Sequence, residues 1–170
     1  MAACTGDGGE SSPTLATSVS PPTSATPESA VTPPVRPADK RNAEGAEDFA
    51  RYFWAVYNYS YEESDSALLG SLSEPACKFC ASVGDELTQF AQTGARREGG
   101  QISVESMSVP PVEKPTRILV AAEIKQVAGT VIAKTGKETP VAEIRDAGAV
   151  MGLAWTDGAW MVHGVSIDAD

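Results

Sequence analysis

Apolar positions along the chain follow two rhythms. In "AEGAEDFARYFWAVYNYSY", Ala46, Phe49, Phe53, Val56, Tyr57 and Ser60 recur at spacings of three and four, with Glu44, Glu47, Asp48 and Arg51 between them. That period predicts an amphipathic helix beginning near Asn42. Its early acidic residues suit the positive end of the helix dipole. "ESDSALLGSL" predicts a short second helix, capped by Ser64 or Asp65 and burying Leu68, Leu69 and Leu72. Ser73 is expected to cap a third helix with Pro75 in its first turn and Gly94 as its stop. Its buried stripe reads Cys77, Cys80, Val83 or Gly84, Leu87 and Phe90.

After "REGG" the rhythm changes to two. "QISVESMSV" alternates through Ile102 and Val104 and stops at Pro110 and Pro111, and "TRILVAAEIKQV" is a longer run rich in β-branched residues. "GTVIAKTGKETPVAEI" carries a turn signal at Thr135 and Gly136. "GAVMGLAW" and "AWMVHGVSI" enclose Asp157 and Gly158, a strong hairpin signal, with Trp155 and Trp160 placed to pack across or beside it. Helices first and antiparallel strands after predict an α+β domain: three helices on one curved sheet of four to five strands.

Before Asn42 neither rhythm is present. Residues 4–36 are dominated by Ser, Thr, Pro, Gly and Ala and hold no aromatic residue. Such a stretch buries too little apolar surface to offset its ordering entropy. Residues 1–38 are therefore expected to be a disordered stalk, and residues 39–170 one domain. As an extended polyproline II chain the stalk would reach on the order of 100 Å, and as a flexible coil about 30–35 Å. Its composition also suits either a plain spacer or an O-glycosylated one.

The formal charge of −10 argues against nucleic acid, which demands clustered Lys and Arg. No apolar run reaches the ~18 residues of a membrane-spanning helix.

The helical half, the curved sheet and the "WTDGAWMV" hairpin together resemble the nuclear transport factor 2-like cone fold. "GAEDFARYFWAVYNYSYEESDSALLGSLSEPACKFC", the later "REGG" and "LAWTDGAWMV" resemble more specifically a family of actinobacterial lipoproteins of unknown function. The likeness spans about residues 36–167. It implies export, lipid anchoring and a cone-shaped domain, and no particular reaction.

The chain has three cysteines. "MAAC" looks like the end of a lipobox, in which small residues precede a cysteine whose thiol receives a diacylglyceryl group. Cys4 is the expected lipidation site, and the basic and hydrophobic regions of a signal segment are expected ahead of Met1. The partner implied is then a membrane, with the domain facing outside the cytoplasm.

Cys77 and Cys80 stand three residues apart. Redox catalysis would place such a pair after a buried strand in a βαβ unit, which is absent here. Zinc would need four ligands, and His163 is the only histidine. At a helix start, residues i and i+3 lie about 5–6 Å apart, within disulfide range. A structural disulfide is expected, and no metal or cofactor.

Phe53, Tyr57, Trp155, Trp160 and His163 are the residues expected to line an interior pocket, if the cone is open. An open cone would hold a small apolar ligand or a segment of an envelope protein. A filled one would leave the domain to act through its surface, as an accessory partner of a membrane protein. An isomerase- or cyclase-like enzyme drawing on Tyr52, Tyr57, Tyr59, Tyr61, Asp65 and His163 is the weaker reading. No nucleophile elbow, phosphate loop or metal-ligand cluster supports it.

Overall fold

The computed structural model describes residues 32–169. Cys4, and most of the expected stalk, lie outside the described residues. Helices α1 (Ala43–Glu63), α2 (Ala67–Ser71) and α3 (Lys78–Thr93) come first. Seven strands follow: β1 (Arg96–Gly99), β2 (Ile102–Ser108), β3 (Arg117–Gln126), β4 (Gly129–Ile132), β5 (Glu138–Val141), β6 (Ile144–Thr156) and β7 (Ala159–Ala169).

The α+β order is as expected, and the strand count is not. Four strands form an antiparallel sheet in the order β2-β3-β6-β7, and three form a second, β1-β4-β5. Of the small sheet the sequence signals only the β4–β5 turn, at Thr135 and Gly136, and its strands escape the hydrophobic pattern for a physical reason. β1 reads "RREG", without an apolar residue, and no residue of β4 or β5 is fully buried. A strand with no buried face has no alternation to display.

Asn42 caps α1, its Oδ1 accepting from the Gly45 amide at 2.9 Å. The buried set of α1 is wider than one stripe, adding Ala50, Tyr52, Trp54 and Tyr61 to the expected positions. Trp54 explains the width: its ring packs edge-on against Phe79 of α3, so α1 has neighbours on a second side. Ser64 ends α1 in the left-handed region instead of starting α2, whereas Asp65 Oδ1 accepts from the Ala67 amide at 2.8 Å.

The start of α3 differs from the expectation. Cys77 is its N-cap, and Ser73 and Pro75 lie in the turn before it. The reason is tertiary. The Val162 amide of β7 donates to the Leu72 carbonyl at 2.8 Å, and the Glu74 amide donates to the Val162 carbonyl at 2.9 Å. Backbone committed to a strand cannot also begin a helix. Gly94 closes α3 in the left-handed conformation, as expected.

β3 alternates cleanly: Ile118, Val120, Ala122 and Ile124 are buried, and Arg117, Leu119, Ala121, Glu123 and Lys125 face out. Ala147, Ala149, Met151 and Leu153 continue the buried face on β6. These residues meet Phe49, Phe53, Leu69, Leu87 and Trp160 in one hydrophobic core.

The β6–β7 hairpin turns through Asp157 and Gly158, both at positive φ, as a tight two-residue hairpin turn requires. Trp155 and Trp160 pair across it, ring centroids 5.1 Å apart and nearly perpendicular. Trp160 is also fastened to the chain entering α1. Its indole Nε1 donates to the Lys40 carbonyl at 2.8 Å and its amide donates to Asp39 Oδ1 at 3.2 Å. Its carbonyl accepts from Arg36 Nη2 at 3.2 Å. Arg36 lies over the Phe49 ring as well, so residues on the stalk side of the 38/39 boundary are docked on the domain.

Candidate functional site

The five residues expected to line a pocket are not gathered around one. Phe53 and Trp160 are fully buried in the core, and Tyr57 nearly so. Tyr57 stacks on Phe79 and meets Tyr61, while Trp155 and Trp160 form their own pair at the hairpin. His163 alone reaches a surface depression.

Tyr57 and Tyr61 belong to a polar cluster under Arg97. The Arg97 guanidinium sits 4.3 Å from the Tyr61 ring centroid, donates to Tyr57 Oη at 3.5 Å and donates to the Gly100 carbonyl. Tyr61 Oη donates to Glu86 Oε2 at 2.6 Å. Burial, then neighbouring Tyr57 and the bond to Glu86, push the Tyr61 phenol far above its ordinary range. The cleft beside it has room for about one water, some 10 Å³. The cluster joins α1, α3 and the β1–β2 turn, and it has no space for a substrate.

Cys77 and Cys80 form a disulfide with a Cα separation of 5.3 Å. Both are buried, in the wall of a depression of about 340 Å³ between α2 and α3. Among the described residues no group of three or more His, Cys, Asp or Glu side chains is placed to hold a metal. No described helix is long and apolar enough to cross a membrane.

The most site-like place is on the outer face of the four-stranded sheet. Between β6 and β7 the register shifts: Gly152 pairs with Gly164 but Leu153 pairs with Val162, which makes His163 the extra residue of a β-bulge. Leu119 of β3 lies opposite Gly152 on the other side. Two glycines side by side, between Leu119 and His163, leave a notch of about 250 Å³ lined by Arg117, Ile118, Leu119, Gly152, Leu153 and His163. Leu119 is 62% exposed there.

Glu74 holds the histidine. Its Oε2 is 2.7 Å from His163 Nδ1, its Oε1 accepts from Thr156 Oγ1 at 3.4 Å, and its backbone is bonded to Val162. Nε2 has no protein partner among the described residues. Arg117, Leu119, Gly152 and Glu74 were not singled out from sequence. The β3 alternation does assign Arg117 and Leu119 to the outer face, and a glycine within each of two strands signals a close approach or an opening. The Glu74 contact spans 89 residues and has no local signal.

The chain belongs to the family described as "Family of unknown function (DUF6318)", whose model matches residues 18–166. No curated protein matches it. Among solved structures it is similar to the intermembrane space region of the chloroplast protein ARC6, with 14% identity and a TM-score of 0.56 over 77% of this chain and 99% of that one. It is also similar to the β subunit of a proposed aromatic-ring-hydroxylating dioxygenase from Novosphingobium aromaticivorans, with 10% identity and a TM-score of 0.51 over 75% and 91%. At such identities the likeness concerns the fold alone. That fold is the nuclear transport factor 2-like α+β arrangement.

Proposed function

We propose that this chain is a non-catalytic binding module of the cell envelope, held to a membrane by lipid on Cys4 and acting through its outer surface. The observation that carries the reading is the filled interior: Phe53 and Trp160, expected to line a pocket, have no exposed surface and pack in the core. Of the two forms open to the sequence, the accessory module with a filled core is thereby favoured over a domain that encloses a small apolar ligand.

The lipobox-like "MAAC" and the Ser/Thr/Pro-rich stretch behind it support an anchored protein on a spacer. Two or three acyl chains on one cysteine give a stable anchor where a single chain does not. A non-catalytic role is supported by the setting of His163. Its side chain is 40% exposed. An imidazole so open to solvent lacks the water-excluded setting in which fixed groups stabilise a transition state.

The test has two arms. Cys4→Ser, expressed behind a complete signal segment, should leave the membrane fraction and lose incorporation of an alkyne-labelled fatty acid. A photo-crosslinking residue at Leu119 should capture one defined envelope component, whereas the same residue at Lys137, on the β4–β5 turn, should not. Membrane retention of the Cys4 variant overturns the anchor. Equal capture at both positions overturns the surface.

A further inference from the structure

We propose that the notch between Leu119 and His163 is a binding site for a small organic carboxylate whose apolar part is about the size of a benzene ring. The inference rests on the surface-acting reading above and names the ligand class of that surface.

Charge is the first argument. The chain carries 23 acidic residues against 13 basic ones. In such a chain a cation finds a carboxylate or carbonyl easily. Arg36, Arg41, Arg51, Arg96, Arg97 and Arg145 all donate to an acceptor within the protein. Arg117 alone of the arginines has no protein acceptor among the described residues, and it stands at the rim of the one depression that also holds the histidine. A guanidinium presents two parallel donors that match a carboxylate.

Shape and polarity supply the rest. The floor includes the backbone of Gly152, and its cross-strand neighbour Gly164 adds no side chain beside it: a Cβ at Gly164 would meet nothing within 4 Å. One wall is the Leu119 side chain, exposed although strongly apolar. The opposite wall is the imidazole ring, fixed through Nδ1 by Glu74. The volume of about 250 Å³ lies just under the ~300 Å³ at which drug-sized pockets begin. That favours a single ring or a branched group over a long chain. The β-bulge places the imidazole beside the glycine pair, where a bulge typically re-aims a side chain for use.

The experiment is a titration of the full chain, ¹⁵N-labelled, with benzoate, benzyl alcohol and benzylamine separately. Benzoate should shift the amides of Leu119, Gly152, His163 and Gly164 saturably, benzyl alcohol should do so more weakly, and benzylamine least. Arg117→Gln removes one charge-assisted contact and should weaken benzoate about tenfold while leaving benzyl alcohol within about twofold. Gly152→Val should fill the notch and abolish both.

Benzylamine binding as well as benzoate, shifts mapping to another face, or an unchanged benzoate affinity in Arg117→Gln each overturn the proposal. Both variants sit on the exposed face, and an otherwise superposable spectrum establishes that they fold. If benzoate fails while Leu119 still captures its envelope component, the carboxylate site falls and the surface module stands. If both fail, both fall.

Discussion

The indole Nε1 of Trp160 donates to the backbone carbonyl of Lys40 at 2.8 Å, bridging 120 residues of sequence between the closing hairpin and the entry to α1. The same carbonyl accepts from the Asn42 amide at 3.0 Å, and a Cβ on Gly45 would collide with it. One oxygen thus sets the indole, the helix cap and the need for glycine at position 45.

Trp160→Phe keeps most of the buried ring and leaves the Lys40 carbonyl short of a partner, so it should cost about 1–3 kcal/mol. Trp160→Ala adds a cavity in the core and should cost about 3–5 kcal/mol. Urea denaturation followed by circular dichroism measures both. If the two variants lose the same amount, packing does not matter at this position.

Gly45→Ala normally strengthens a helix by about 1 kcal/mol. Here it should destabilise, because the Lys40 carbonyl is held by Trp160 and cannot retreat. Combined with Trp160→Phe, the alanine should cost less than it does alone. Strict additivity in that double-mutant cycle would show that the two contacts are independent.

Helix α1 and the Trp hairpin were legible in the sequence because each rests on short-range information: a 3.6 period with an Asn cap, and an Asp-Gly turn between apolar runs. The start of α3 was not. Ser73 and Pro75 are good local start signals, and a hydrogen-bonded bridge to Val162 overrides them. Phe53, Tyr57 and Trp160, expected to line a pocket, are buried, but burial does not say whether neighbours converge on a space or fill it. Arg117 and Glu74 were missed because an unpaired guanidinium and a contact across the fold are visible only once every other partner is placed.

Asn58 donates to the Ile102 carbonyl at 2.8 Å and accepts from the Ile102 amide at 2.9 Å, fixing the first residue of β2 to α1. Asn58→Ala strands both backbone groups and should cost about 1–3 kcal/mol. Asn58→Asp keeps the acceptor and should recover part of that. Thermal unfolding of the two variants distinguishes a lost hydrogen bond from lost bulk.

The disulfide closes a loop of four residues, for which the chain-entropy relation gives about 2 kcal/mol, near the low end of the usual range. Cys77→Ser/Cys80→Ser should therefore still fold, with its denaturation midpoint lowered accordingly. An unfolded double variant would mean that the clasp does more than restrain the unfolded chain.

Folding raises the Tyr61 phenol pKa above its unfolded value near 10, so the folded chain binds more protons at alkaline pH. Its stabilising effect is complete below pH 10 and is lost above it, by about 1.4 kcal/mol for each further pH unit. Alkaline unfolding should be steep in the native chain and shallower in Tyr61→Phe. Phenolate absorbance appearing before unfolding, at one tyrosine too many, would contradict this.

Arg36, Asp39 and Lys40 grip the far end of the chain at Trp160. A pull arriving along the residues before Arg36 would therefore not peel α1 from its N-terminus. It would load the last hairpin sideways, against strand bonds running the length of β6 and β7. Force from that side would reach the β6–β7 hairpin before it reached α1.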